Sequence, residues 1–277
     1  MQADSPGLLD IEVDSMTEFL MTPVRLEREN GLAVATLDNP PLNLFDLRLL
    51  DALADAVSAV ESELPRALLV RADGKVVSGG VDVAVFDGLA SEDAAALWHR
   101  LLALVHRIEE LPFPTVFAAH ALTLTAALEI ALACDLLVAA RSAKFAFAET
   151  VVGLTPSMGG TQRIAARAGP ARAREMVLTG ELYDAATLEG WGVVNKVWDD
   201  DGFNERAGEL ATRLAEGPTL AHAATKRIVR AFEEGGVRRA DEAVPETSAA
   251  LFATEDLKGA VRSFLEHGPG HAVYRAR

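Results

Sequence analysis

A single cysteine, Cys134, stands among the 277 residues. One thiol excludes an intrachain disulfide, which suits a reducing compartment, and the chain is expected in the cytoplasm. Cys134 lies in an apolar stretch and reads as a small core filler. No apolar run approaches the about 18 residues that cross a bilayer as a helix. Basic residues are scarce against acidic ones: 26 Lys and Arg face 41 Asp and Glu, a net charge of −15. That balance argues against a nucleic-acid partner and against an anionic membrane surface. It leaves room for an anionic small ligand, because a local basic patch can sit in an acidic whole. The histidines His99, His106, His222, His267 and His271 show no metal-ligand spacing, and neither a Gly-x-Ser-x-Gly elbow nor a Walker loop is present. No metal and no cofactor is expected. The N-terminal segment lacks the basic start of a signal peptide. Residues 1–20 read as a flexible tail, with Met16 and Met21 as alternative starts.

What is present is ordinary globular material: 50% apolar and 24% charged residues, in a chain long enough to bury a substantial core. Val24–Arg28 and Leu32–Leu37 read as strands around the Asn30-Gly31 turn. Leu49, Leu53, Ala56 and Val57 recur at helical spacing over Asp46–Glu63. A strand at Arg66–Arg71 precedes the loop Ala72–Asp82, and Ser91–Leu111 is a helix with Ser91 as its cap and acids in the first turn. Pro112-Phe113-Pro114 ends it ahead of a strand at Thr115–Ala118. Helices are expected at Gly160–Arg167, Pro170–Leu178 and Ala185–Gly190, and a last strand at Val193–Trp198. Beyond it the pattern is helical only: Phe203–Glu216, Leu220–Glu234, Ala240–Ala253 and Glu255–His267. Strands spaced by helices imply an α/β fold with crossover connections. The composition shift near Gly217-Pro218 divides a core over residues 21–216 from a C-terminal helical region over 217–277, read as a separate layer or an oligomer arm.

The stretch Ala118–Gly160 organises the rest. It sets Glu129 in a short apolar helix and Glu149 ahead of a Gly/Pro-rich turn. A carboxylate in apolar surroundings pairs, protonates or works. Two of them suggest the two ends of a proton-transfer device. The structural alternatives are an arginine-paired Glu129 and an exposed or helix-capping Glu149. His120 reads as a structural hydrogen-bonding residue beside the pocket, and Asp82 and Asp135 as loop organisers. By itself, Ser78-Gly79-Gly80 reads as a surface turn.

Three segments in register carry a resemblance: VSGGVDVAVF (Val77–Phe86), AAHALTLTAALEIALACDLLVAA (Ala118–Ala140) and KFAFAETVVGLTPSMGGTQRIAARAGPARAREMVLTG (Lys144–Gly180). Together they resemble the enoyl-CoA hydratase/isomerase (crotonase) superfamily, with order and spacing kept from about Val24 onward. The resemblance implies a crotonase-like spiral of ββα units, acyl-CoA thioesters as ligands, and trimers or dimers of trimers assembled through the C-terminal helices. It implies an oxyanion hole made by the backbone N–H groups of Val81 and Ala126. It assigns Ser78, Gly79, Gly80, Val81, Asp82, Val83, Thr125, Pro156 and Gly159 to substrate or CoA contacts. In a hydratase of this kind Glu129 would activate the water that attacks Cβ, and Glu149 would protonate Cα. Enoyl-CoA hydration is the leading expectation. The alternatives are double-bond isomerisation or another crotonase-type reaction, and a weakly active or inactive acyl-CoA-binding oligomer. Two departures stand out. Residues 121–127 hold no glycine where the family carries a Gly-rich turn, and Ala148 replaces the usual proline before Glu149. Either the pocket is reshaped for another acyl group or the oxyanion hole is compromised.

Overall fold

The computed structural model describes residues 22–277, so the expected tail, with Met16 and Met21, lies outside the described residues. Asn30 and Gly31, at φ 50° and 82°, supply the positive-φ pair that a two-residue hairpin needs. They join β1 (Val24–Glu29) to β2 (Leu32–Leu37) in antiparallel register. From β2 the main sheet continues parallel through β3 (Ala67–Ala72), β4 (Thr115–Ala119), β6 (Leu136–Ala140) and β9 (Lys196–Trp198), in the order β1-β2-β3-β4-β6-β9. A second sheet joins β5 (Thr123–Leu124), β7 (Lys144–Ala146) and β8 (Tyr183–Asp184).

Alternation along the central strands divides the core into two clusters, as period-two geometry requires. Leu68, Val70, Phe117, Ala119, Leu137 and Ala139 belong to the larger cluster, with α1 (Leu47–Ser62), α2 (Ser91–Glu110) and α3 (Ala126–Ala133). Leu69, Val116, Ala118 and Val138 belong to the other, packed with Phe203, Ala207 and Ala211 of a later helix (α7, Phe203–Glu216). The strands are therefore apolar on both faces, which explains their unbroken runs in sequence. Asp46 caps α1 by accepting from Leu49 N at 2.7 Å, and the helix buries Leu49, Leu53, Ala56 and Val57 as its spacing predicts.

Between β7 and β9 run α4 (Gly160–Ala168), α5 (Pro170–Thr179) and α6 (Ala185–Gly190). After α7 come α8 (Thr219–Leu251) and α9 (Glu255–His267). Lys226 of α8 ties this region to the core, bonding Phe113 O at 3.0 Å and Asp135 at 2.8 Å. Asp135 also accepts from Thr115 N and Oγ1, the organising role its loop position suggests.

Three local expectations are corrected. Ser91 does not cap α2: Ala90 holds the cap position and makes no side-chain bond, while Ser91 begins the helix. The last strand starts at Lys196 rather than Val193, because Val193 and Val194 donate to Leu188 O to close α6, and Asn195 exchanges bonds with Leu137. The helices expected at Leu220–Glu234 and Ala240–Ala253 run on as α8, interrupted only by non-helical Gly235 and Gly236.

Candidate active site

All eight residues of α3 are buried. That includes Glu129, only 2% exposed. A carboxyl at this depth needs donors, and it has two: Met158 N–H at 2.9 Å and Gly160 N–H at 2.8 Å, both to Oε1. Gly160 opens α4, so its N–H is one of the helix's unpaired first-turn donors and sits at the positive end of the dipole. Among the described residues nothing bonds Glu129 Oε2. The arginine alternative fails: Arg163 pairs instead with Glu109 of α2, at 2.5–2.6 Å, and also bonds Gly159 O.

Glu149 lies just beyond β7, at the head of a short 3-10 turn (Glu149–Val152). It is half-buried. Its Oε2 is buried without a hydrogen-bond partner, so it is neither an exposed acid nor a cap. Burial dominates both ionisations. It pushes Glu129 from its ordinary 4.5 to about 8, with the Glu149 charge adding to the rise and the Gly160 and Met158 donors opposing it. It pushes Glu149 from 4.5 to about 7. The pair therefore takes up and releases protons around neutral pH.

Both carboxyls line one cavity of about 210 Å³. Gly79, Gly80, Val81, Val83, Thr125 and Ala126 line it too, as do Phe45, Trp98, Leu101 and Met158. Val81 N–H and Ala126 N–H find no acceptor among the described residues. Ala126 is the first residue of α3, so its N–H is free for the usual helix-terminus reason. These N–H groups therefore belong to residues on the wall of the same cavity as the two carboxyls.

The missing glycines leave a trace at Thr125. Its backbone takes φ 48°, ψ −118°, a region costly for a β-branched residue. The turn closes nonetheless, with Thr125 N bonded to Ala146 O and Glu129 N bonded to Thr125 O. The Thr125 hydroxyl is buried without a partner, packed against Gly80, where an added β-carbon would come within 2.9 Å of it.

Four residues assigned to ligand contact do not line the cavity. Ser78 is fully buried and braces the loop, donating to Asn43 O and accepting from Gly80 N. Asp82 caps the following 3-10 turn by accepting from Ala84 N. Pro156 is buried behind Thr155 and Ser157, which do line the wall. Gly159 adopts a left-handed turn and is bonded by Arg163. His120 likewise does not line the cavity and bonds Gly74 O at 3.1 Å, as a structural hydrogen-bonding residue does. Sequence reasoning does not reach the Met158 and Gly160 donors, which act through backbone. It also does not reach Trp98 and Leu101, although their i,i+3 spacing on α2 is the legible trace of that wall. Among the described residues no three His, Cys, Asp or Glu side chains cluster as a metal-ligand set, and no helix is long and apolar enough to cross a membrane.

A spiral α/β fold with two raised-pKa carboxyls on one apolar cavity defines a class of acid–base enzyme scaffold, and comparison gives it a family. The profile of the enoyl-CoA hydratase/isomerase family matches residues 27–272. The chain belongs to that family, with the crotonase fold. It is 29% identical over 247 residues to the crotonyl-CoA hydratase of Syntrophomonas wolfei, covering 87% of this chain and 94% of that one. It is 32% identical over 224 residues to the 1,2-epoxyphenylacetyl-CoA isomerase of Escherichia coli, covering 79% and 84%. The solved enoyl-CoA hydratase of Mycobacterium smegmatis superposes with a TM-score of 0.83 at 27% identity, covering 88% and 96%.

Proposed function

We propose that this protein hydrates the 2,3 double bond of 2-enoyl-CoA thioesters. One observation carries the reading: Glu129 and Glu149 are both raised to near-neutral pKa on a single cavity that also holds two N–H groups without acceptors. In this reading water adds its oxygen to Cβ while its proton passes to a carboxylate. The double-bond electrons move onto the thioester oxygen as an enolate, and Cα then takes a proton from the other carboxyl. Val81 and Ala126 N–H bind the enolate oxygen, where preorganised donors of this kind are worth about 10²–10³ in rate each. Glu129, with Oε1 fixed by two donors and Oε2 free, takes the water proton. Glu149, which among the described residues no N–H outside its own backbone holds, delivers the proton to Cα. The pair holds about one proton between pH 7 and 8, and the two values lie too close to say which carboxyl carries it, so this assignment rests on the donors. The scheme uses no metal and no cofactor, CoA being part of the substrate.

A second reading is double-bond isomerisation, favoured by the 29% identity over 244 residues to the trans-2-decenoyl-[acyl-carrier-protein] isomerase of Streptococcus mutans. Following crotonyl-CoA and 2-octenoyl-CoA by loss of the conjugated thioester absorbance, with product analysis, separates the two. Hydration by the wild type, cut by at least a hundredfold in both Glu129→Gln and Glu149→Gln, supports the hydratase. A shifted double bond without added water assigns the isomerase, and thioester binding without turnover assigns a binding protein.

The expected division at residue 217 and the assembly are part of this proposal. Phe232, Val237, Phe252, Phe264 and Leu265 of α8 and the chain beyond it are exposed apolar residues, suited to burial between copies in a trimer or dimer of trimers. Light scattering gives the state directly, and a monomer at micromolar concentration rejects it. The single buried thiol fits the cytoplasm as the compartment.

A further inference from the structure

The cavity wall is one-sided. Its polar side-chain groups are those of Thr125, Glu129, Glu149, Thr155 and Ser157 and the Trp98 indole N–H, and among the described residues no Lys, Arg, His, Asn or Gln lines it. All the rest is apolar or glycine. Phe45, Leu50 and Leu101 are at most 4% exposed and close its inner part, while Val83, Val151 and Val152 line it and are exposed to solvent. Phe86 and Trp98 stand between as a tilted aromatic pair, 5.7 Å between ring centres. An apolar cavity of about 150 Å³ is enough for a benzene-sized guest. The 210 Å³ here exceeds that, and so exceeds what a four-carbon acyl group fills.

From this we infer that the site takes an uncharged, apolar acyl group of six or more carbons, and rejects acyl groups ending in a carboxylate. The inference rests on the reading of the cavity as an acyl-thioester site. Two physical effects set the selectivity. Each methylene moved from water onto the Leu50, Leu101 and Trp98 wall improves binding by about fourfold. A terminal carboxylate would enter a low-dielectric wall that offers no cation and already holds two acidic groups, so it meets desolvation without compensation. The exposed Val83, Val151 and Val152 give the entrance the same preference, since an apolar chain laid across them covers them from water.

The test is a panel of 2-enoyl-CoA thioesters: crotonyl, 2-hexenoyl, 2-octenoyl, and the six-carbon 2-enoyl thioester bearing a terminal carboxylate. We expect kcat/KM for 2-octenoyl-CoA to exceed that for crotonyl-CoA by at least tenfold. The carboxylate-terminated thioester should fall at least tenfold below 2-hexenoyl-CoA. Leu101→Phe, which fills the inner wall, should lower the octenoyl-to-crotonyl ratio by at least fivefold. Equal or better use of crotonyl-CoA, or of the charged thioester, overturns the inference. Calorimetry with the saturated butyryl-, hexanoyl- and octanoyl-CoA reads the same preference without chemistry. If hydration fails but octanoyl-CoA binds at least tenfold tighter than butyryl-CoA, the acyl preference stands and the hydratase reading falls. If hydration proceeds with flat chain-length dependence, the reverse holds.

Discussion

Gly160 donates its N–H to Glu129 Oε1 at 2.8 Å, and leaves no room for anything larger than hydrogen on its own Cα. A β-carbon there would lie 2.7 Å from Glu129 Cγ and 2.6 Å from Phe147 Cε1. The start of α4 is thus fitted to the carboxyl that α3 presents. Gly160→Ala must push one of the two helices away, at a cost of about 1–3 kcal/mol of overpacking. We expect it to lower kcat by at least tenfold with a smaller effect on KM, together with a lower melting temperature, checked by steady-state kinetics and calorimetry.

Activity should follow a bell in pH. A reaction that needs one carboxyl ionised and one protonated is limited below about 7 and above about 8, where the pair holds two protons or none. A profile of kcat/KM from pH 5 to 10 checks this. A single limb near 4.5 would mean that neither group is held up by burial.

Stability carries the opposite sign from the usual carboxylate. Glu129 holds its proton to about pH 8 when folded, against 4.5 for an ordinary glutamate. Between those values the folded state binds more protons than the unfolded one, so stability falls as pH rises and levels off above about 8. Glu129→Gln removes the charge and keeps an acceptor for Met158 and Gly160. We expect its melting temperature to exceed that of the wild type at pH 8 by about 2 °C or more, with the gap shrinking toward pH 5.

Thr125 offers a separate test. Its positive φ costs about 1–3 kcal/mol for a β-branched residue. Glycine there gives back about 0.4–1 kcal/mol through the freer unfolded chain. Relief of strain wins, so Thr125→Gly should be the more stable protein by about 1 kcal/mol in urea titrations.

The elements of the α/β fold are legible in sequence wherever a local rule suffices. Asn30-Gly31 writes its own hairpin, the unbroken apolar runs at β3 and β4 mark strands buried on both faces, and the spacing of Leu49, Leu53 and Val57 gives α1. Local rules fail at the boundaries that distant contacts set. Val193 and Val194 look like strand but close a helix onto Leu188, and Ser91 looks like a cap but does not serve as one. The two glutamates are visible too: a carboxyl within LTAALEIALAC contradicts its surroundings, and Glu149 stands ahead of a Gly/Pro-rich turn in the same stretch.

Only the tertiary structure decides what those glutamates become. Twenty residues separate Glu129 from Glu149 in the chain, and that number says nothing of the backbone N–H groups at Met158 and Gly160 that hold the first. Nor does it say that the second is left with an unpartnered oxygen. Backbone donors have no signature in a string of side chains. The cavity is assembled from the Phe45 loop, α2, α3 and the turn after β7, segments that meet only once the sheet is formed. Sequence marked Glu129 as an acid in apolar surroundings and left Glu149 open between a working and an exposed acid; packing alone sets the burial that raises both pKa values, against hydrogen bonds that lower them.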